Sequence, residues 1–270
     1  MYRFSAAVAG LCLVSAGAHA CGQETDCMVG ERSYRLVMPE TQAGDEPVPV
    51  VVFAHGYRGS AAGVMRNGSL RRMASDLGAA LIALNADGGS WMLPNHPRDM
   101  DNDGASEFAY VDAVLDDAAQ RFEIDDTRIM VTGFSAGGML VWNLACSRSD
   151  RFAGFAPISG TFWLEPPDAC SGPVASIIHI HGDSDRTVPL EGRAIGPTKQ
   201  GEVDEALAMY QGYGEYGDFS GPTQYGDLMC DEADNSAGDM MKFCLFEGGH
   251  SFRTEFVRFA WEQFREVGRL

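Results

Sequence analysis

Positive charge is scarce in this sequence. Its 270 residues include 20 Lys and Arg against 38 Asp and Glu, which gives a formal net charge of −18. Nucleic acids and anionic membrane surfaces repel a chain of this sign, so neither nucleic acid nor stable membrane association is expected. A neutral polymer is compatible with the charge, and so is a purely solubilising role of the charge outside the cell.

Patterns typical of metal sites are also lacking. The seven cysteines include no C-x-x-C pair, and the six histidines form no cluster that would complete a ligand set, so we expect no metal and no cofactor. The acidic turn from Asp99 to Asp103 begins like a calcium-binding loop, but the twelfth position of that loop is Tyr110 rather than a bidentate glutamate. We interpret this turn as a solvated loop that leads into a helix.

Internal repeats and long apolar runs are absent as well. The apolar run near the N-terminus covers only residues 6–16, which is too short to span a membrane. Arg3 precedes this run, and the A-x-A pattern Ala18-His19-Ala20 follows it. This arrangement predicts a signal peptide at residues 1–20 and export of the mature chain.

The mature chain, residues 21–270, has the length of a single catalytic domain. It would begin at Cys21, which makes a lipoprotein anchor a minor alternative. Ala18 argues against lipidation, because a large aliphatic residue is expected three positions before a lipidated cysteine. The even number of cysteines left after cleavage predicts disulfides in an exported protein, with many possible pairings.

Apolar, β-branched runs alternate with helix-compatible stretches along the mature chain. Strands are predicted at residues 49–54, 80–85, 128–133 and 174–180, and a shorter run lies at 241–246. Helices are predicted at residues 112–122, 136–145 and 252–264. Such alternation implies an α/β fold, with a mainly parallel twisted sheet and helices on both faces. The Gly- and Tyr-rich segment 212–226 has no clear period and is interpreted as a substrate-side loop or a surface connection.

One serine lies in a pattern typical of a nucleophile. Ser135 is the centre of Gly133-Phe134-Ser135-Ala136-Gly137, between the strand run 128–133 and the helical stretch 136–145. This is the G-x-S-x-G nucleophile elbow in its strand–turn–helix context. The flanking glycines remove Cβ atoms that would clash in a strained turn, and the helix N-terminus points towards a developing oxyanion. We predict that Ser135 is the nucleophile.

A nucleophilic serine needs a base and an acid that orients the base. In α/β-hydrolases both follow the serine, the acid before the histidine. His250 lies beyond Ser135 with room for an acid between them, in a glycine-flanked loop after residues 241–246, and we predict it as the base. His179 and His181 alternate with isoleucines in a buried strand, so we interpret them as structural residues that hold the next loop.

The acid is predicted in the loop that follows His181-Gly182, where Asp183 and Asp185 compete. Asp183 is still leaving the strand, and its carboxylate can bind local backbone N–H groups. Asp185 lies two residues further on, where it can reach across the top of the sheet, while Val188-Pro189 fixes the exit of the loop. We therefore predict Asp185 as the acid.

The oxyanion hole is predicted from two backbone N–H groups. The strand run 49–54 leads into His55-Gly56-Tyr57-Arg58-Gly59, and we expect the amides of Tyr57 and Ala136 to converge on the oxyanion. His55 is interpreted as a residue that orders this loop. Tyr57 and Trp91 are candidate substrate contacts, and core packing is an equally good account of Trp91.

These motifs resemble those of a known family. The sequence is similar to the secreted polyhydroxybutyrate depolymerase and feruloyl esterase group, close to carbohydrate esterase family 1, and the shared motifs are, in chain order, HGYRG, SW, RIMVTGFSAGGM, HIHGDSDRTVP and EGGH. The resemblance runs from about Cys21 to the C-terminus. It implies an α/β-hydrolase fold with Ser135, Asp185 and His250 as the triad, and the family pattern His-Gly-x-x-Asp-x-x-Val-Pro selects Asp185.

The resemblance and sequence proximity also favour one set of disulfides, namely Cys21–Cys27, Cys146–Cys170 and Cys230–Cys244. The chain departs from the family at two places: Ala136 stands where asparagine is frequent, and Ser251-Phe252-Arg253-Thr254 stands where Thr-Trp-Pro-Gly is frequent. Both border the substrate cleft, so they leave the triad intact and the substrate open.

The expected function is hydrolysis of carboxylic esters by a secreted serine esterase that forms an acyl-enzyme. The expected substrate is a neutral polyester, such as a polyhydroxyalkanoate, or a feruloyl or acetyl polysaccharide. Two alternatives remain: a peptidase or acyltransferase that uses the same triad, and a non-catalytic polymer-binding protein on a hydrolase scaffold.

Overall fold

The computed structural model describes residues 21–41 and 46–270, so the predicted signal peptide at 1–20 lies outside the described residues. Within these ranges the strands are β1 (Cys27–Val29), β2 (Arg32–Val37), β3 (Val48–Ala54), β4 (Ala80–Leu84), β5 (Ile124–Phe134), β6 (Gly154–Ile158), β7 (Ile177–Gly182), β8 (Arg193–Ile195), β9 (Thr198–Gln200), β10 (Thr223–Tyr225), β11 (Leu228–Asp234) and β12 (Met240–Phe246). The α-helices are α1 (Ala61–Arg66), α2 (Gly68–Asp76), α3 (Ala105–Arg121), α4 (Ala136–Ser147), α5 (Val203–Tyr213) and α6 (Thr254–Glu266). No helix in these ranges combines the length and the apolar character needed to cross a membrane.

The centre of the main sheet is parallel, in the order β4-β3-β5-β6-β7-β12. Its strands are almost continuous apolar runs, and β4 is buried at every position. This pattern follows from helices that cover both faces of the sheet, since neither face of a central strand then meets water. The carboxyl ends of β3, β5, β7 and β12 therefore meet at one edge of the molecule.

Antiparallel hairpins extend the sheet at both sides. Strands β2 and β1 follow β4 at one side, and β11 and β10 follow β12 at the other. Three disulfides are present: Cys21–Cys27 beside β1, Cys146–Cys170 at the end of α4, and Cys230–Cys244 between β11 and β12. These are the same three pairs that the family resemblance implies.

Two apolar clusters lie on opposite faces of the sheet. Helices α3, α4 and α5 cover one face, where Val114, Trp142 and Tyr210 are buried. Helices α2 and α6 cover the other face, where Leu70 and Trp261 are buried. The predicted α/β architecture, with a mainly parallel sheet and helices on both faces, is confirmed.

Most predicted elements are present with shifted ends. The helix predicted at 112–122 begins earlier, at Ala105, because Asp103 Oδ1 accepts the Ala105 N–H and the apolar face extends back to Phe108. Asp99 Oδ2 accepts a bond from the side chain of Asn102 in the same turn. The acidic turn thus leads directly into α3, which agrees with the interpretation of this turn as a loop before a helix.

The first part of the segment 212–226 packs beside the residues that precede β7. The hydroxyl groups of Tyr210 and Tyr216 donate to the carbonyl oxygen of Ala175, at 3.1 and 2.8 Å, just before β7 begins. Tyr213 donates to the Gly172 carbonyl in the same region. This first part is therefore a surface connection. The last residues form the edge strand β10, where Gln224 and Gly226 line a cavity together with Asp183 at the carboxyl edge of the sheet.

Candidate active site

Ser135 occupies a sharp turn between β5 and α4. Its backbone has φ 60° and ψ −121°, a combination that residues other than glycine rarely adopt. The Ser135 N–H donates to the Ile158 carbonyl at 2.9 Å, and its own carbonyl accepts the Met139 N–H as the first bond of α4. The turn is thus held from both sides, and the side chain is partly exposed at the carboxyl edge of the sheet.

The glycines around Ser135 are required by close backbone contacts. A Cβ atom on Gly137 would lie 2.0 Å from the Ala54 carbonyl oxygen, and one on Gly133 would lie 2.5 Å from the Gly137 carbonyl oxygen. A Cβ atom on Gly138 would lie 2.6 Å from the Ile158 oxygen. Helix α4 therefore packs against the ends of β3 and β6 at a distance that only glycine permits.

Asp185 and His250 are joined directly. His250 Nδ1 lies 2.6 Å from Asp185 Oδ2, and the second carboxylate oxygen accepts the N–H groups of Thr187 and Val188 at 2.7 and 2.9 Å. The Asp185 side chain is fully buried, and that of His250 is 16% exposed. A buried carboxylate needs such donors, and they hold it in the orientation that meets the imidazole.

The other candidate acid has a different partner. Asp183 Oδ1 accepts the Gly248 N–H at 3.0 Å, and the Ser184 N–H donates to the Gly248 carbonyl at 3.0 Å. The loop after β7 is thereby tied to the loop that carries His250. A Cβ atom on Gly182 would lie 2.5 Å from the Gly249 carbonyl oxygen, so this glycine permits the close approach of the two loops.

A buried chain of hydrogen bonds lies beneath the Asp185 loop. Trp142 Nε1–H donates to His179 Nδ1 at 3.1 Å, His179 Nε2 lies 2.9 Å from His181 Nδ1, and His181 Nε2 lies 2.8 Å from the Val188 carbonyl oxygen. Because an indole can only donate, His179 carries its proton on Nε2 and His181 does the same. Burial holds the pKa of His179 well below its ordinary value, and burial also lowers the pKa of His181. Both rings are neutral, and the chain supports Val188.

The loop after β3 lies against the Ser135 turn. A Cβ atom on Gly56 would lie 3.3 Å from the Phe134 carbonyl oxygen and 3.5 Å from Ser135 Cβ. The N–H groups of Arg58 and Gly59 are occupied, because they donate to the carbonyls of Gly89 and Gly56. Among the described residues the Tyr57 N–H has no such backbone acceptor, and Ala136 is the first residue of α4, where no intrahelical acceptor exists.

His55 and Trp91 order this loop. His55 Nδ1–H donates to the Gly56 carbonyl at 2.8 Å, and His55 Nε2 accepts the Ala86 N–H at 3.1 Å. Burial lowers the pKa of His55, so the ring is neutral. Trp91 is buried, donates from Nε1 to the His55 carbonyl at 2.8 Å, and also lines the cavity beside Ser135. Trp91 thus packs in the core and also forms part of the cavity wall.

His250 contacts Phe134, the residue that precedes Ser135. The Phe134 and His250 ring centroids lie 4.5 Å apart, and the ring planes are tilted by 34°. No hydrogen bond between the Ser135 hydroxyl and the His250 ring is present among the described residues. Bonds of this kind are often long in a free enzyme and shorten when substrate binds.

A cavity of about 330 Å³ opens beside Ser135. Its lining includes the predicted residues Tyr57, Trp91 and Ala136, and it also includes Met139 and Trp163. Trp163 and the β8–β9 hairpin were missed by sequence reasoning. No local motif marks them, because the chain from residue 163 to 200 returns to the cavity only through tertiary contacts, such as the bridge between Trp163 and Gln200.

Comparisons with known proteins agree with this architecture. Residues 92–196 match the phospholipase/carboxylesterase family model. NocK of Nocardia uniformis subsp. tsuyamanensis, which is named an esterase, is 31% identical over 168 residues, covering 62% of this chain and 48% of NocK. Feruloyl esterase C of Emericella nidulans is 25% identical over 169 residues, covering 61% of this chain and 58% of that protein. The chain thus matches only about half the length of these relatives.

A solved structure extends the likeness over most of the chain. The acetyl xylan esterase from Aspergillus awamori superposes with a TM-score of 0.59 at 13% identity, covering 87% of this chain and 94% of that one. At this identity the likeness establishes the fold alone. The protein therefore has the α/β-hydrolase fold, and its residues 92–196 are similar in sequence to the phospholipase/carboxylesterase family.

Proposed function

We propose that this chain is a serine esterase that hydrolyses carboxylic esters, with residues 21–270 as one catalytic domain. Ser135 is the nucleophile, His250 the general base and Asp185 the acid that orients the base. The amides of Tyr57 and Ala136 form the oxyanion hole. The observation that carries the proposal is the 2.6 Å contact of His250 with the buried Asp185, at the sheet edge where Ser135 stands in its strained turn.

The reaction follows from these positions. His250 donates its Nδ1–H to Asp185, so Nε2 is free to accept the proton of Ser135 Oγ as the oxygen attacks the ester carbonyl carbon. The negative charge that forms on the carbonyl oxygen is stabilised by the two amides and by the N-terminus of α4.

The second half of the cycle uses the same groups. His250 returns the proton to the departing alcohol, which leaves the acyl group on Ser135. Water then attacks the acyl-enzyme while His250 accepts its proton. His250 gives this proton to Ser135 Oγ as the second intermediate collapses, which releases the acid and restores Ser135 and His250. No step needs a metal or a cofactor.

The proposed substrate is an ester carried by a polymer or its oligomers, either a polyhydroxyalkanoate or a feruloyl or acetyl polysaccharide. The name of one sequence relative, feruloyl esterase C, supports the second group. The proposed location is outside the cytoplasm, which the three disulfides support. A lipid anchor on Cys21 is disfavoured, because a thioether to lipid would need the sulfur that bonds to Cys27.

The test uses purified mature protein with p-nitrophenyl acetate. Wild-type protein should hydrolyse this ester and should react covalently with a fluorophosphonate probe. Ser135→Ala should fold, fail to react with the probe, and retain at most ~10⁻³ of the turnover, since only the oxyanion hole and binding effects remain. Turnover close to wild type in a folded Ser135→Ala protein would end the proposal, and an inactive wild type would favour a binding protein.

A further inference from the structure

The cavity beside Ser135 has an unusual charge for this chain. None of the described residues that line it is Asp or Glu, although the sequence holds 38 acidic residues. Two arginines, Arg98 and Arg193, do line it. A protein with a net charge of −18 thus places only positive charge at the wall of the cavity that contains its predicted nucleophile.

These two arginines lack carboxylate partners. In the described part of the chain, ion pairs occupy many of the other arginines but neither Arg98 nor Arg193. Both side chains reach solvent, so each is available to an anion that enters the cavity. A guanidinium presents a planar set of donors that matches a carboxylate, which makes arginine well suited to such a ligand.

Arg193 is held in place by a buried partner. Arg193 Nε donates to Gln200 Oε1 at 2.9 Å, and the two residues face each other across the β8–β9 hairpin. Gln200 is 6% exposed and also forms a backbone bridge with Trp163, so the hairpin is anchored to the cavity wall. The bond through Nε leaves the terminal nitrogens of Arg193 free to bind a ligand.

The backbone of Arg98 is anchored by His96. Its backbone N–H donates to His96 Nδ1 at 3.2 Å, and the His96 ring lies edge-on to Trp163 with 5.8 Å between centroids. His96 also contacts Ser90 Oγ through Nε2 at 3.0 Å. His96 and Trp163 thus form an aromatic part of the cavity wall, and Arg98 and Arg193 line the same cavity.

We propose that the natural substrate is an ester that carries a carboxylate, with the carboxylate bound by Arg98 and Arg193 and the scissile bond at Ser135. This proposal rests on the esterase function above and adds a charge to its substrate class. The carboxylate can belong to the free end of a hydroxyalkanoate oligomer or to an acylated uronic acid, because both place an anion close to an ester.

The first test compares esters that differ by one charge. On the acyl side, 4-nitrophenyl hydrogen adipate is compared with 4-nitrophenyl hexanoate. On the alcohol side, 4-acetoxybenzoate is compared with 4-acetoxybenzamide. The charged member of at least one pair should have the higher kcat/KM, through a lower KM. This advantage should shrink as NaCl is raised from 0.02 to 0.5 M, because salt screens exposed charges and the Debye length falls from about 20 Å to about 4 Å.

The second test removes the charges. The measured quantity is the ratio of kcat/KM for the charged ester to kcat/KM for its neutral partner. In Arg98→Gln/Arg193→Gln this ratio should fall about tenfold or more, because two charge-assisted contacts are lost. The control is Arg72→Gln/Arg265→Gln, which changes the net charge equally. These two arginines are exposed, lie outside the cavity and form no ion pair with any residue that the structure describes. The control should keep the wild-type ratio, and melting temperatures should verify that both proteins fold.

The outcomes separate this proposal from the esterase function. Hydrolysis of the neutral esters with no preference for a charged ester in either pair would overturn the carboxylate site and leave the esterase function standing. An equal fall of the ratio in the control would also overturn it, because the effect would then come from net charge. Failure to hydrolyse any of the esters would refute the proposed function itself.

The source of the carboxylate is resolved by natural esters. A trimer of 3-hydroxybutyrate with a free carboxylate is compared with its amide, and an acetylated glucuronic acid is compared with acetylated glucose. Whichever pair shows the larger preference for the anion, and the larger loss in Arg98→Gln/Arg193→Gln, identifies the source. A preference for the neutral member of both pairs would contradict the proposal.

Discussion

His250 Nδ1 lies 2.6 Å from Oδ2 of Asp185, a side chain with no exposure to solvent. The acceptor places the proton of the neutral imidazole on Nδ1, which leaves Nε2 as the nitrogen that can accept a proton. The backbone donors of Thr187 and Val188 occupy the other carboxylate oxygen, so Asp185 cannot rotate without losing two bonds. This pair sets the direction in which a proton can be transferred.

Asp185→Asn should therefore impair catalysis far more than stability. The asparagine oxygen can accept the Thr187 and Val188 N–H groups, which turns its NH₂ group towards His250 and reverses the tautomer. We expect kcat to fall by ~10³–10⁴ with little change in the melting temperature, measured with p-nitrophenyl acetate.

Asp183→Asn is the matched control for that variant. It retains an oxygen that can accept the Gly248 N–H, so we expect activity within a few-fold of wild type and a loss of at most about 1 kcal/mol in unfolding free energy. The reverse result, with Asp183→Asn inactive and Asp185→Asn active, would show that the acid is wrongly assigned.

The central parallel strands were predictable because helices cover both faces, which makes β3, β4, β5 and β7 read as apolar runs. Strand β6 was not predicted. Its five residues include Gly154 and Pro157, which weaken any strand signal, and its place is fixed instead by pairing with β5 and β7. The ends of β7 also moved, from the predicted 174–180 to 177–182, because pairing with β6 and β12 starts at Ile177.

The candidate site residues could be predicted where a local sequence motif indicates their chemistry. Ser135, Asp185 and His250 each follow a strand of the parallel sheet, and their order along the chain matches one fold. The contact of Asp183 with Gly248 spans 65 residues, and so does that of Asp185 with His250. The place of Asp185 in the loop and the family pattern favoured it as the acid, but the partners of the two aspartates are set by the packing of the two loops, which no local motif specifies. The roles of the site residues stay predictions until the variants are measured.

Backbone strain at Ser135 makes a stability prediction. The residue has φ 60° and ψ −121°, which glycine adopts readily and alanine does not. Ser135→Gly should therefore unfold with a free energy about 1 kcal/mol higher than Ser135→Ala, after part of the released strain is offset by the greater freedom of glycine in the unfolded chain. Chemical denaturation of the two inactive proteins measures this difference, and equal stability would show that the turn is not strained.

The close packing of α4 predicts a severe effect of one methyl group. In Gly137→Ala the new Cβ would lie 2.0 Å from the Ala54 carbonyl oxygen, so helix α4 or the end of β3 must move. We expect a loss of about 3 kcal/mol or more in unfolding free energy, together with lower esterase activity, because the loop after β3 carries Tyr57.

Gly212→Ala provides the comparison in another helix. Gly212 lies in α5, and a Cβ atom there would meet nothing within 4 Å. This variant should gain up to about 1 kcal/mol, since alanine is the better helix former. A similar loss in both variants would refute the packing argument.

Thiol titration tests the three disulfides. Exported mature protein, denatured without reductant, should have no titratable thiol, because all six cysteines that the structure describes are paired. Reduction should lower the melting temperature, and the loop closed by Cys230–Cys244, with a sequence separation of 14, contributes ~3 kcal/mol in the loop-entropy model. Two or more free thiols in the oxidised protein would contradict this arrangement.

The neutral histidines beneath the Asp185 loop predict how stability depends on pH. Protonation of His179 would place a second N–H against the indole N–H of Trp142, and it would put a charge into a site with no exposure. The lowered pKa values of His179 and His181 mean that, below about pH 6.5, the unfolded chain binds more protons than the folded one. The stability that depends on these two neutral histidines should therefore be fully present above about pH 6.5, and the unfolding free energy should fall as the pH decreases below that value. Nitrogen-15 NMR should find His179 neutral and protonated on Nε2 until acid unfolding begins. A His179 ring that titrates near pH 6.5 in the folded protein would show that the hydrogen-bond chain does not hold the imidazole neutral.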